Sequence, residues 1–354
     1  MLTALPPRRF GQCERDSGAL RSNATISGPT SQTIRRDDLR LGYKVSSEEH
    51  PPADLVRYAR RAEEIGFSFV GISDHYHPWI DRQGHSPFVW SIIGAISQVT
   101  SKLEVLTGVT CPTMRVHPAV IAHAAATSAA LLPGRFSFGV GSGENLNEHI
   151  LGDHWPPVAI RLEMLDEAIE VIRKLWQGGL TSHRGRHYTV ENARIYDVPE
   201  PLPPILVAGS GPKAIALAGR VGDGFIGLAP KSEVVQQFRA AGGEGKPTYA
   251  EATVCWAANE STAKKTVMEW WPNAGVAGQL MQELALPSHI EQAASMADEE
   301  SVTKSFPCGP DADQHVEAIR QYEKAGYENV WIHQVGPEQE GFFNFYEREV
   351  LPKL

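Results

Sequence analysis

An apolar run ending at Ile72 is followed at once by Ser73-Asp74-His75. A carboxylate beside an imidazole, where a buried stretch stops, supplies a general acid or base that works near neutral pH. The same residues read equally as a helix N-cap followed by an exposed histidine. Further along, Gly141-x-Gly143 precedes Glu144 and Asn147. Backbone without side chains lets a flat ligand lie against it with a carboxyl group aimed at it, although a tight turn with a solvated glutamate has the same signature. Gly209-Ser210-Gly211-Pro212 opens a helical pattern, and the free N–H groups of a helix start attract an anion such as a phosphate. The third glycine and following acidic residue of the dinucleotide fingerprint are missing. Trp79, in the loop after His75, offers either a ring for stacking or a packing surface. His77 and His85 share that loop without metal-ligand company, so no metal is expected. No G-x-S-x-G elbow supports a serine hydrolase.

These groups need a frame that brings separated strand ends together. From Leu39 onward, short β-branched apolar runs alternate with amphipathic helical patterns, the rhythm of repeated βαβ units and a parallel sheet. Strands are expected over 39–45, 67–74, 103–110, 135–143, 204–209, 224–229, 248–257 and 329–335. Helices are expected over 53–65, closed by Gly66, and over 159–176, closed by Gly178-Gly179. Eight such units give an α/β fold, a (β/α)8 TIM barrel, whose reacting groups stand at the C-terminal ends of the strands. Two stretches break the rhythm and read as loop insertions at that face: 180–203, a small hairpin, and 272–310, a polar helical segment expected to cover the mouth as a mobile lid. The domain is expected to span 39–354. The first 38 residues, rich in Arg, Ser, Thr, Gly and Pro, read as a disordered extension or a mis-set start site in preference to an organelle-targeting peptide.

With 42% hydrophobic and 21% charged residues, the chain has apolar surface enough for a large core. A formal net charge of −9 and no basic cluster exclude nucleic acid as the expected partner. No apolar stretch is long enough for a membrane-spanning helix. Cys13, Cys111, Cys255 and Cys308 are widely spaced, which signals neither a zinc site nor a disulfide framework and suits a reducing cytoplasm.

Ser73-Asp74-His75 with Pro78-Trp79, Gly84-His85-x-Pro87-Phe88, Gly141-x-Gly143-Glu144-x-Leu146-Asn147-Glu148, Ile195-Tyr196-Asp197-Val198-Pro199 and Gly219-Arg220-x-Gly222-Asp223-Gly224 together resemble the luciferase-like oxidoreductase superfamily. The likeness is greatest to the branch of coenzyme F420-dependent glucose-6-phosphate dehydrogenases, and it runs from Leu39 to Leu354. It implies a deazaflavin in the barrel mouth and hydride transfer from an alcohol or sugar-phosphate hydroxyl carbon, with placement and proton management as the protein's task. It also implies that His75 takes the hydroxyl proton, Glu144 gives a proton to the reduced ring, and Trp79 positions the substrate. Asp74, Val109, Cys111, Asn147, Ala208, Gly209, Ser210 and Gly211 match cofactor-contacting positions, the Gly108-Val109 bond matches one that is cis, and the implied assembly is a homodimer.

The sugar-phosphate enzymes hold their phosphate with a hydroxyl and basic side chains. Here Lys231 is retained, while the other positions fall on Leu228, Met281 and Ser305, with Lys304 next to the last. Charge-assisted hydrogen bonds to a phosphate contribute roughly 1.5–3 kcal/mol each. Their loss favours a more apolar alcohol. The rival readings are an FMN-dependent monooxygenase of the same superfamily and a non-catalytic flavin- or deazaflavin-binding barrel.

Overall fold

The computed structural model describes residues 39–276, 278–304 and 306–354. The expected N-terminal extension, and Ser305, lie outside them. The strands are β1 (Arg40–Val45), β2 (Phe69–Ile72), β3 (Glu104–Thr107), β4 (Phe136–Val140), β5 (Thr181–Arg184), β6 (Thr189–Ala193), β7 (Ile205–Ala208), β8 (Gly224–Gly227), β9 (Thr248–Val254) and β10 (Asn329–Gln334). Eight of them close a parallel barrel in the order β1-β10-β9-β8-β7-β4-β3-β2. The other two, β5 and β6, form the antiparallel hairpin expected within 180–203.

Strands such as Phe-Val-Gly-Ile in β2 are buried on both faces, which is why they read as continuous apolar runs rather than as alternation. Inside, Phe69, Leu106, Leu206, Ile226, Tyr249 and Trp331 fill the barrel. Rings and glycines alternate across this core: a Cβ on Gly42 would stand 2.5 Å from the Phe69 ring, and one on Gly71 3.4 Å from Trp331. Outside, helices such as Pro52–Ile65 pack Leu55, Tyr58, Ala59 and Ala62 onto the sheet, and Gly66 ends that helix at φ 104°.

All eight expected barrel strands are present, but several stop earlier at their C-terminal ends. Ser73-Asp74, Gly108–Thr110 and Gly141–Gly143 fall beyond the ladder. The pairing there thins to isolated bonds, such as the Thr110–Val140 bridge and Gly108 N–H to the Ile72 carbonyl at 2.7 Å, and the side chains serve the mouth. The 272–310 segment is helical, as expected, over Leu280–Glu283, Pro287–Ala294 and Glu299–Thr303. It is less polar on its inner side than its composition suggests: Met281, Leu284 and Ile290 pack with Trp79, Ile80 and Leu146.

Candidate active site

Just past β2, His75 is almost fully buried and lies edge-on to Trp79, with ring centroids 4.8 Å apart. Its Nδ1 is 3.2 Å from the His77 carbonyl oxygen. That contact favours the tautomer with the proton on Nδ1, leaving Nε2 as the basic nitrogen. Nε2 stands 3.5 Å from Glu48 Oε1, close enough for charge stabilisation and too long to occupy the lone pair firmly. Glu48 follows β1 and is wholly buried. Its Oε2 accepts hydrogen bonds from Ser73 Oγ at 2.7 Å and Ser46 Oγ at 3.1 Å. Burial pushes this carboxyl up, but His75, Lys44 and the Ser73 hydroxyl outweigh it and hold it at about 2. An ionised carboxylate therefore backs the imidazole throughout the neutral range.

A second constellation surrounds Asp74. Its Oδ2 accepts from Thr110 Oγ1 and its Oδ1 from Arg115 Nη2, each at 2.9 Å. Arg115 also lies 3.6 Å from Glu148 through Nε, while Glu148 Oε2 accepts the Arg115 backbone N–H at 2.8 Å. Because Asp74 has the better share of the guanidinium, burial dominates at Glu148 and pushes its carboxyl up to about 7. Asn147 is buried and uses its Oδ1 to accept the backbone N–H groups of Tyr76 and His77, at 2.8 and 3.2 Å. It thereby fixes the loop that carries His75. Its Nδ2 reaches toward Glu144 Oε2 at 3.4 Å, and Glu144, half-buried at the N-terminus of the Asn145–Glu148 turn, carries no cap bond of its own.

Across the barrel ends of β3, β4 and β7 the lining is nearly side-chain-free. The Gly108-Val109 bond is cis, as the resemblance implied. A Cβ on Gly141 would meet Val109 Cγ2 at 2.7 Å, and Gly143, at φ 79°, would meet Cys111 Sγ at 2.6 Å. Cys111 is thus packed beneath the Gly143 turn, its Sγ 3.0 Å from Thr113 Oγ1. After Ala208, the turn through Gly209 and Ser210 leads to the helix Pro212–Val221, whose N-cap Gly211 makes no side-chain cap bond. Nothing lies within 4 Å of where a Cβ on Gly211 would stand. First-turn N–H groups there are open to an anion.

The structure therefore brings His75, Trp79, Asp74, Asn147 and Glu144 together at one barrel end, with the 208–211 turn and Val109 on neighbouring strand ends. Lys231 sits at the exposed start of the helix Ser232–Phe238, near exposed Leu228. Lys304 lines a separate pocket with Glu260, Glu299 and Glu300. Sequence reasoning missed Glu48 and Arg115, and offered Glu148 only as part of a family motif. The signal for Glu48 was present: Ser46-Ser47-Glu48-Glu49-His50 is a polar run directly after a barrel strand, and all five residues are buried.

A family model described as luciferase-like monooxygenase matches residues 38–331. The F420-dependent glucose-6-phosphate dehydrogenase of Microbacterium testaceum is 36% identical over 328 residues, covering 89% of this chain and 97% of that protein. The protein of the same name from Nakamurella multipartita is 37% identical over 336 residues, covering 89% and 96%. Among solved structures, an F420-dependent secondary alcohol dehydrogenase in complex with an F420-acetone adduct superposes with a TM-score of 0.83 at 26% identity, over 89% of this chain and 98% of that one.

Proposed function

The chain belongs to the luciferase-like monooxygenase family, and from that premise we propose that it is a coenzyme F420-dependent oxidoreductase, a dehydrogenase that moves hydride from an alcohol carbon to the deazaflavin. The observation that carries this reading is the buried Glu48–His75 pair beside Trp79, on the same barrel end as the glycine turns. The residues present fit the coenzyme. The side-chain-free ends of β3 and β4 suit a flat ring, and the uncapped N-terminus at Gly211 suits the anionic tail. Asp74, Val109, Asn147 and the turn through Ala208, Gly209, Ser210 and Gly211 would hold it.

When bound, the coenzyme supplies the hydride acceptor. This chain's residues do the rest. His75 Nε2 takes the hydroxyl proton as hydride leaves the carbon, and the Glu48 carboxylate stabilises the imidazolium that results, as in other carboxylate-backed histidine bases. Asn147 holds the His75 loop in register. Trp79, with Ile80, Leu146, Met281 and Leu284, presents an apolar wall that keeps water from the reacting carbon. Glu144 is assigned the proton donor to the reduced ring. Among the described residues no helix is long and apolar enough to cross a membrane, and the free thiols of Cys111, Cys255 and Cys308 suit a reducing cytoplasm. A homodimer is proposed through the helices Val89–Val99 and Pro118–Leu131.

Titrating the purified chain with oxidised F420, then following the loss of deazaflavin absorbance with alcohols, tests the reading. Tight binding and bleaching support it. Binding of FMN with oxygen uptake, and no response to F420, would move the chain to the monooxygenase branch; cofactor binding without any turnover would leave a binding barrel.

A further inference from the structure

Opposite the glycine turns, the barrel ends of β1, β9 and β10 carry charge rather than bare backbone. Lys44 Nζ lies 2.9 Å from Glu251 Oε2, and Trp331 Nε1 donates to the same oxygen at 2.7 Å. Glu251 Oε1 has no such partner among the described residues; it lies 3.7 Å from His333 Nδ1, beyond hydrogen-bond length. His333 is wholly buried. Its Nε2 is 2.7 Å from Glu49 Oε2, and Glu49 Oε1 accepts the Gly336 N–H at 2.8 Å. Trp271 lies edge-on to the imidazole with centroids 4.3 Å apart. His333 Nδ1 itself is buried without a hydrogen bond, and a buried polar atom left unpaired is costly. Glu251, with its side chain 18% exposed, is more open than Lys44, His333 or Glu49.

We propose that Glu251 and His333 form a subsite for a hydroxyl group, and that the substrate is an unphosphorylated alcohol carrying a second hydroxyl besides the one oxidised. This rests on the reading of the chain as an alcohol-oxidising enzyme. Nε2–H donates to Glu49, so Nδ1 is an acceptor as Glu251 Oε1 is, and a hydroxyl placed between them donates its proton to this acceptor pair; a methylene offers no such proton. Lys44, which acts on both Glu251 and Glu48, ties this subsite to the base. A phosphate dianion fits poorly, because Glu48, Glu49 and Glu251 crowd this half of the mouth. The cation that touches this cluster, Lys44, is already matched to Glu251. Lys231, which makes no ion pair among the described residues, sits at the exposed start of the helix Ser232–Phe238.

Matched pairs of ligands test the subsite: trans-1,2-cyclohexanediol against cyclohexanol, and glucose against glucose 6-phosphate, with the full chain and F420. Wild type is expected to prefer the diol about tenfold in kcat/KM, and glucose over its phosphate. Glu251→Gln and His333→Asn are expected to lower the diol-to-cyclohexanol ratio about tenfold, the loss of one hydrogen bond, with F420 affinity close to wild type. Equal use of both alcohols, an unchanged ratio in both variants, or preference for glucose 6-phosphate overturns the proposal. Saturation-transfer NMR of the two cyclohexane ligands with the coenzyme-free chain separates the two claims. Diol binding that both variants lose, in a chain that does not bind F420, leaves the subsite standing and removes the coenzyme reading. F420 turnover without diol preference does the reverse.

Discussion

His75 is a plausible base because of what surrounds it rather than because it is a histidine: a carbonyl fixes Nδ1, a buried carboxylate faces Nε2, and Trp79 covers the ring. Replacing it with alanine is expected to lower kcat at least a hundredfold, the usual scale of general-base loss, while fluorescence titration finds F420 affinity within about twofold. Glu148 makes a prediction about stability. Its folded value near 7 exceeds the ordinary carboxyl value of 4.5, so its contribution is fully present below 4.5 and is lost as pH rises through 7. Glu148→Gln removes that titration. Thermal midpoints at about pH 4 and about pH 8 are expected to show the variant gaining on wild type at the higher pH. At this scale the sequence was legible where a strand end announced itself, as at Asp74-His75. It was silent on Arg115 and offered Glu148 only as part of a family motif, because the two are distant in the chain and meet only through the barrel ends.

At the scale of elements, the mouth depends on turns that admit little change. Gly143 combines φ 79° with a Cβ position 2.6 Å from Cys111 Sγ, so Gly143→Ala is expected to cost about 1–3 kcal/mol by chemical denaturation. A buried arginine ties down the 272–310 segment, the expected lid. Arg161, on the helix Val158–Leu175, lies 4.2 Å over the Trp155 ring, donates to the Pro156 carbonyl at 2.8 Å and reaches Glu283 at 3.3 Å. From the other side, Asn145 Nδ2 donates to the Glu283 carbonyl at 2.9 Å. Arg161→Ala is expected to speed limited proteolysis within 272–310 several-fold; an unchanged cleavage rate would show that the lid is held by its apolar side alone. The barrel strands were readable because burial on both faces leaves an unbroken apolar run. The inner side of 272–310 was not, since Met281, Leu284 and Ile290 are scattered among polar residues and meet Trp79, Ile80 and Leu146 across the mouth.

For the whole molecule, charge is distributed unevenly. The chain carries a formal charge of −9, yet no Asp, Glu, Lys or Arg occurs from Phe88 to Thr100 or from Val116 to Leu132. Phe88 and Val120 on these segments are 58% and 59% exposed. The proposed two-fold dimer would bury this apolar surface symmetrically. Sedimentation is expected to give twice the chain mass, and Val120→Glu to shift it toward the monomer. The barrel itself was legible from strand rhythm, whereas the divided mouth, bare on β3, β4 and β7 and ionised on β1, β9 and β10, appears only once the strands close into a ring. That division is the basis of the proposed chemistry, and the most direct test of it is a single-turnover reaction of the F420-loaded chain with an alcohol bearing deuterium on the carbinol carbon. The account predicts bleaching of the deazaflavin with a primary isotope effect, reduced at least a hundredfold in His75→Ala; bleaching that is indifferent both to the deuterium and to His75 would contradict it.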